Sequence, residues 1–128
     1  MDEFFNQQKE SERERMNRLR GWIIYIIYAS RPRSVDFATL KSMLDRRGYP
    51  LSSHRLAKEM SFLCGEDLVR VSRLGVSKRL NVEEDQDALL LRYMESYNAD
   101  DGYCVALRTR GVQFQEDNCD VLGVLRVG

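Results

Sequence analysis

The chain has one histidine, one tryptophan and two prolines in 128 residues. Its three cysteines, Cys64, Cys104 and Cys119, are an odd number, scattered, with no Cys-x-x-Cys pair. Such a set excludes a disulfide scaffold and predicts reduced thiols in a cytoplasmic protein. The charged, polar start gives no sign of a secretory leader. One histidine with dispersed cysteines is a poor zinc set, so no metal site is expected. No glycine-rich phosphate loop is present, and His54 has no cysteine or carboxylate at a catalytic spacing. The expectation is a protein that is not an enzyme and carries no cofactor. The longest apolar run, Trp22 to Ala29, falls far short of the ~20 residues that span a bilayer, so no membrane association is expected.

The chain also lacks net charge, with twenty basic and twenty acidic residues. The balance is uneven along its length. Residues 31–80 hold eleven basic and five acidic residues, a net of +6. Residues 81–102 hold one basic and seven acidic, a net of −6. A one-signed block can supply the electrostatic footprint for a polyanion although the total is zero. Hydrophobic content of 43% and charged content of 31% fit one globular domain with a real core.

Residues 1–15 read as a polar helical arm, or as the start of the helix that follows. Met16, Leu19, Trp22, Ile23, Ile26 and Ile27 keep helical spacing, and Ile24, Tyr25 and Tyr28 cover other faces, so this helix is buried on more than one side. Gly21 interrupts it at a cost of ~1 kcal/mol against Ala. A second helix is capped by Asp36, lines its inner face with Phe37, Leu40 and Leu44, and stops at Gly48. Tyr49 and Pro50 make a turn. A third helix starts near Ser52 or Ser53, with Leu56, Met60 and Leu63 on its inner face. Ser53, His54, Arg55, Lys58, Glu59 and Ser61 fall outside or at the margin, and Gly65 ends it. Residues 68–74 alternate as a strand, with Leu68, Val69, Val71 and Leu74 against Arg70, Ser72 and Arg73. Residues 83–98 read as an acidic helix carrying the stripe Leu90, Tyr93, Met94 and Tyr97. Residues 103–108 form a second strand, residues 109–117 a short helix or turn, and the tail, 113–128 at its widest, docks on the core.

The expected fold is mainly α with a small β-ribbon, an α+β domain over residues 16–128. Helix, helix, helix, strand, insert, strand is the order of a winged helix-turn-helix, its wing interrupted by an acidic helical insert at about 75–102. The segments "YASRP", "LKSMLDRRGYPLSSHRLAKEMSFLCGEDLVRV" and "LRTRGVQFQEDNCD" resemble small winged-helix proteins of Mu-like prophages. More loosely they resemble MarR- and PadR-type regulators. Leu56, Glu59, Met60, Phe62, Leu63, Leu68 and Val69 fit the third-helix pattern of those proteins. Ala29, Arg31 and Pro32 fit an Ala-x-Arg-Pro after the first helix, and Leu107, Gly111 and Val112 fit the element after the wing. Arg108 stands where threonine is usual, Glu66-Asp67 where Arg-Gly is usual, and the wing is split by the insert. The resemblance implies the winged-helix fold and is weakly specific for function.

Two functions follow from these residues. The first is binding of double-stranded DNA as a transcriptional regulator of phage or prophage type. Ser53, His54, Arg55 and Lys58 would enter the major groove, while Arg70, Arg73, Lys78 and Arg79 hold phosphates. The second is a non-catalytic interaction or dimerisation module. Its contact surface would be Leu90, Tyr93, Met94 and Tyr97 on the insert helix, meeting a protein partner or a second copy in a homodimer. A link between the two is that the acidic insert folds over the basic block and masks it.

Overall fold

The computed structural model describes residues 2–73, 85–96 and 100–128, with backbone alone for residues 2–11 and 101. Lys78, Arg79 and Tyr97, expected at the wing and the interface, lie outside the described residues, as does most of the segment that joins the ribbon to the insert helix.

The first helix, α1 (Asp2–Ser30), is continuous, so the polar arm is its first half. Leu19, Ile23, Ile24, Ile26 and Ile27 are buried, while Met16, Trp22, Tyr25 and Tyr28 are half-buried. Burial spreads round its second half because α2, α5, β3 and the C-terminal segment all meet it. Strand β1 (Val35–Asp36) leads into α2 (Phe37–Arg46). Asp36 caps α2 by accepting from the Thr39 N–H at 2.6 Å, and Gly48 takes φ 85°, the left-handed stop expected of it. Helix α3 (Ser53–Gly65) is capped by Ser52, which accepts from the Arg55 N–H at 3.1 Å. Gly65 is the last residue of α3, as expected, and Asp67 at φ 60° then turns the chain out of the helix.

Strand β2 (Val69–Arg73) pairs antiparallel with β3 (Tyr103–Leu107), Val71 opposite Val105. Strand β1 pairs with the other edge of β3, Val35 opposite Val105, giving the sheet order β1-β3-β2. Two residues are too few to carry an alternation, so β1 leaves no pattern in the sequence. Between β2 and β3 lies α4 (Gln86–Glu95), capped by Asp85, then a 3-10 turn at Asp100–Gly102. The insert thus packs as a fourth helix on α3 and β2. Helix α5 (Thr109–Gln115) follows β3. Among the described residues the structure is therefore mainly helical with a small three-stranded antiparallel sheet. One core runs through it, including a cluster of Phe37, Tyr93 and Tyr103 with ring centroids 4.8–5.9 Å apart.

The segment after α5 docks on α1. Val121 and Val124 are buried, and the Leu125 N–H donates to the Asn17 carbonyl at 2.9 Å. Gly21 makes this possible, because a side chain there would meet the Leu125 carbonyl oxygen at 1.7 Å. No described helix is long and apolar enough to cross a membrane.

Candidate nucleic-acid interface

Helix α3 divides sharply by face. Leu56, Ala57, Met60 and Leu63 are buried with Glu59, whereas His54, Lys58, Ser61 and Gly65 are exposed. The exposed arc therefore presents one lysine and one histidine. Three residues expected on or near that arc are committed to the protein itself.

Ser53 is half-buried in a polar cluster formed by four elements. Lys41 Nζ on α2 donates to Ser53 Oγ at 3.1 Å and to Asp100 Oδ2 at 2.9 Å. The Ser53 hydroxyl and the Tyr93 hydroxyl both donate to Asp100 Oδ1. Burial tends to raise the Asp100 carboxyl, but the Tyr93 and Lys41 hydrogen bonds and the Lys41 charge outweigh it and hold the group below its ordinary value. Burial first, and Asp100 second, push the Tyr93 phenol above its ordinary value. The cluster ties the start of α3 to α2, to α4 and to the end of the insert.

Arg55 leans against α1 with its side chain still 43% exposed. Its Nε lies 3.3 Å from Glu59 Oε1 and its Nη2 meets Met16 Sδ at 2.7 Å. Glu59, expected at the margin, is only 3% exposed. Its second oxygen accepts from Arg20 Nε at 2.7 Å, and the Arg20 guanidinium lies 4.0 Å from the Phe62 ring centroid. A buried carboxylate needs such partners to stay charged. They come from positions 39 and 4 residues away, and only the shorter spacing leaves a trace in the sequence.

On β2, Arg70 is exposed and Arg73 is half-buried. Further exposed cations before α2 and at its end are Arg31, Arg33, Arg46 and Arg47. The Arg47 guanidinium lies 4.9 Å from the Trp22 ring centroid, so its charge rests on an aromatic face.

The stripe expected at an interface is split. Leu90 and Tyr93 are 3% and 1% exposed, spent on the core together with Leu89. Met94 is 41% exposed and Leu91, outside the expected stripe, is 53% exposed. The reason is rotational: Leu89, Leu90 and Tyr93 form the face of α4 that meets α3 and β2, which turns Leu91 outward. A groove of about 320 Å³ runs between α3 and α4, lined by Ala57, Lys58 and Ser61 on one wall and Asp87, Leu90, Leu91 and Met94 on the other.

Gln86 at the start of α4 has a role the sequence did not reveal. Its side-chain oxygen accepts from the Val71 N–H at 2.5 Å and its side-chain nitrogen donates to the Val71 carbonyl at 2.9 Å. Among the described residues, no three of His, Cys, Asp or Glu gather as a metal-holding group. No known protein family, curated protein or solved structure matches the chain.

Proposed function

We propose that the chain is a winged helix-turn-helix protein that binds double-stranded DNA in a regulatory role, with α3 as its groove-facing helix. The observation that carries this reading is the arrangement of α3. It follows α2 across a six-residue turn, leads straight into β2 of an antiparallel ribbon, and keeps His54, Lys58 and Ser61 exposed on one arc. A helix at that place in such a fold enters the major groove, and a ribbon beside it meets phosphate. Lys58 and His54 are the groove-facing residues in this reading, Arg70 a backbone contact, and Arg33, Arg46 and Arg47 further candidates for phosphate. Arg55 and Ser53 act indirectly, by fixing the first turn of α3.

The test is fluorescence anisotropy on a mixed-sequence duplex. With four phosphate contacts, affinity should fall on the order of a hundredfold between ~50 and ~200 mM salt. A Lys58→Ala, Arg70→Ala variant should bind more weakly and with a shallower salt slope. Failure of the folded protein to bind at the lower salt would overturn the proposal.

A second reading rests on the α3–α4 groove. Leu91 and Met94 are exposed there beside Ala57 and Ser61, an apolar surface with one charge on each wall. In this reading α4 is a protein-docking or dimerising element, and DNA contact is secondary. Light scattering of the wild type and of Leu91→Glu separates the two: a dimer lost on substitution favours docking.

A further inference from the structure

Among the described residues four large apolar side chains stay exposed: Leu91 and Met94 on α4, and Leu122 and Leu125 in the C-terminal segment. The two pairs differ in shape. Leu91 and Met94 line the groove of about 320 Å³ between α3 and α4, with Ala57 and Leu90 completing its apolar surface. Room of ~150 Å³ already takes a benzene-sized body, so a leucine side chain fits here. Leu122 is the converse, a projection that is 96% exposed.

The turn that carries Leu122 is fixed on both sides. Val121 before it and Val124 after it are buried, and the Val124 N–H donates to the Val121 carbonyl at 3.2 Å. Arg20 Nη1 on α1 donates to the Gly123 carbonyl at 3.1 Å. Arg126 joins Asp117 at 2.8 Å to Asp120 at 3.2 Å. An apolar side chain on so fixed a turn gives up little freedom when it docks.

The turn and the groove flank the same exposed arc of α3. Gly123 lies against Phe62, since a Cβ at Gly123 would stand 3.2 Å from Phe62 Cζ. Ser61, one residue earlier and about 100° round the helix, lines the groove. A two-fold axis parallel to α3 therefore brings the projection of one copy over the groove of another, and the reverse contact comes with it. The charges agree with this pairing. Asp120, two residues before Leu122, has a side chain 94% exposed, and Lys58 stands on the groove wall. Asp87 on the opposite wall repels Asp120 and so sets which way round the turn enters.

We propose that the α3–α4 groove is filled by Leu122 of a second copy of this chain, which receives the first copy's Leu122 in return. The proposal rests on the docking reading of the groove and deepens it by naming the occupant. An occupied groove covers Lys58 and Ser61, so the dimer and a duplex compete for one face of α3.

Sedimentation velocity of the full chain between ~5 and ~500 µM tests this, because so small an interface supports a dissociation constant on the order of tens of micromolar. Leu91→Lys and Leu122→Asp alter exposed side chains, and unchanged urea midpoints check that each variant is folded. Each alone should weaken self-association by more than about tenfold. An equal mixture of the two should associate again: the mixed dimer keeps one native leucine-in-groove contact and sets the new lysine against the new aspartate in the other. A monomeric wild type would overturn the proposal while leaving the groove to a different protein. Association lost with Leu91→Lys but kept with Leu122→Asp would overturn it too, leaving the groove a docking site that Leu122 does not fill. So would a mixture that fails to recover.

Discussion

Gly21→Ala should destabilise this protein, although the same change in an exposed helix stabilises by about 1 kcal/mol. The added methyl group would lie 1.7 Å from the Leu125 carbonyl oxygen and 2.9 Å from its carbonyl carbon. Both are backbone atoms, so no rotamer change relieves the overlap, and the docked C-terminal segment must shift. At stake are the 2.9 Å bond from Leu125 to Asn17, the 3.1 Å bond from Arg20 Nη1 to the Gly123 carbonyl, and the burial of Val121 and Val124. Two buried valines contribute about 3 kcal/mol, and the chain entropy regained on release offsets part of that. The expected net loss is about 2 kcal/mol, or about 7 °C in Tm for 128 residues. Urea unfolding followed by the fluorescence of Trp22 measures it. The decisive arm is a chain ending at residue 118, in which Gly21→Ala should become stabilising by about 1 kcal/mol. If the penalty persists in the shortened chain, the close approach of Leu125 is not its cause and the reasoning fails.

Glu59→Gln should cost about 1–3 kcal/mol, below the full penalty for breaking a buried pair because Arg20 and Arg55 can still reach water; an unchanged urea midpoint would show that the carboxylate does not hold α1 to α3. The lowered Asp100 value means that its ion pair adds stability above the ordinary carboxylate range near pH 4, stability that is lost as pH falls through the folded-state value. Wild type should therefore exceed Asp100→Asn in stability at pH 7, with the gap closing towards pH 3; a constant gap would refute the assignment. Asp87 and Glu95 are exposed acids on α4, the first in the groove beside Lys58. If the insert screens the basic block, Asp87→Asn with Glu95→Gln should raise duplex affinity by about two- to fivefold at low salt and less at high salt. Unchanged affinity would remove the masking idea. This pair is a better test than deleting residues 81–102, which would strip Leu89, Leu90 and Tyr93 from the core.

The features legible in the sequence were local ones. Asp36, Ser52 and Gly48 act through their own backbone and that of residues within three positions, so their chemistry shows in order along the chain. The inner stripes of α2 and α3 follow from helical spacing alone. The misses are tertiary. Glu59 looked marginal on a helical wheel because its main partner, Arg20, sits on another helix. Arg55 keeps 43% of its side chain exposed, and its contact with Met16 on α1 leaves no trace in chain order. Leu90 and Tyr93 read as spare apolar residues because nothing in the chain order says that α4 lies on α3 and β2. Asp100 meets Lys41 across 59 positions, a pairing that composition registers only as opposite blocks of charge.

The side chain of Gln86 bears on how this molecule stays separate from its own copies. Among the described residues strand β2 is an outer strand of the sheet, and an outer strand offers its unpaired amide and carbonyl groups to any extended chain that passes. Gln86 fills both positions at Val71 with a side-chain amide, which has the same donor and acceptor as a peptide group but cannot propagate a ladder. It acts as a one-residue counterfeit strand. The opposite edge, β1, is only two residues long and offers little to build on. At Val71 the place a neighbouring strand would take is thus held by an amide on a helix, one that no strand pattern would have marked.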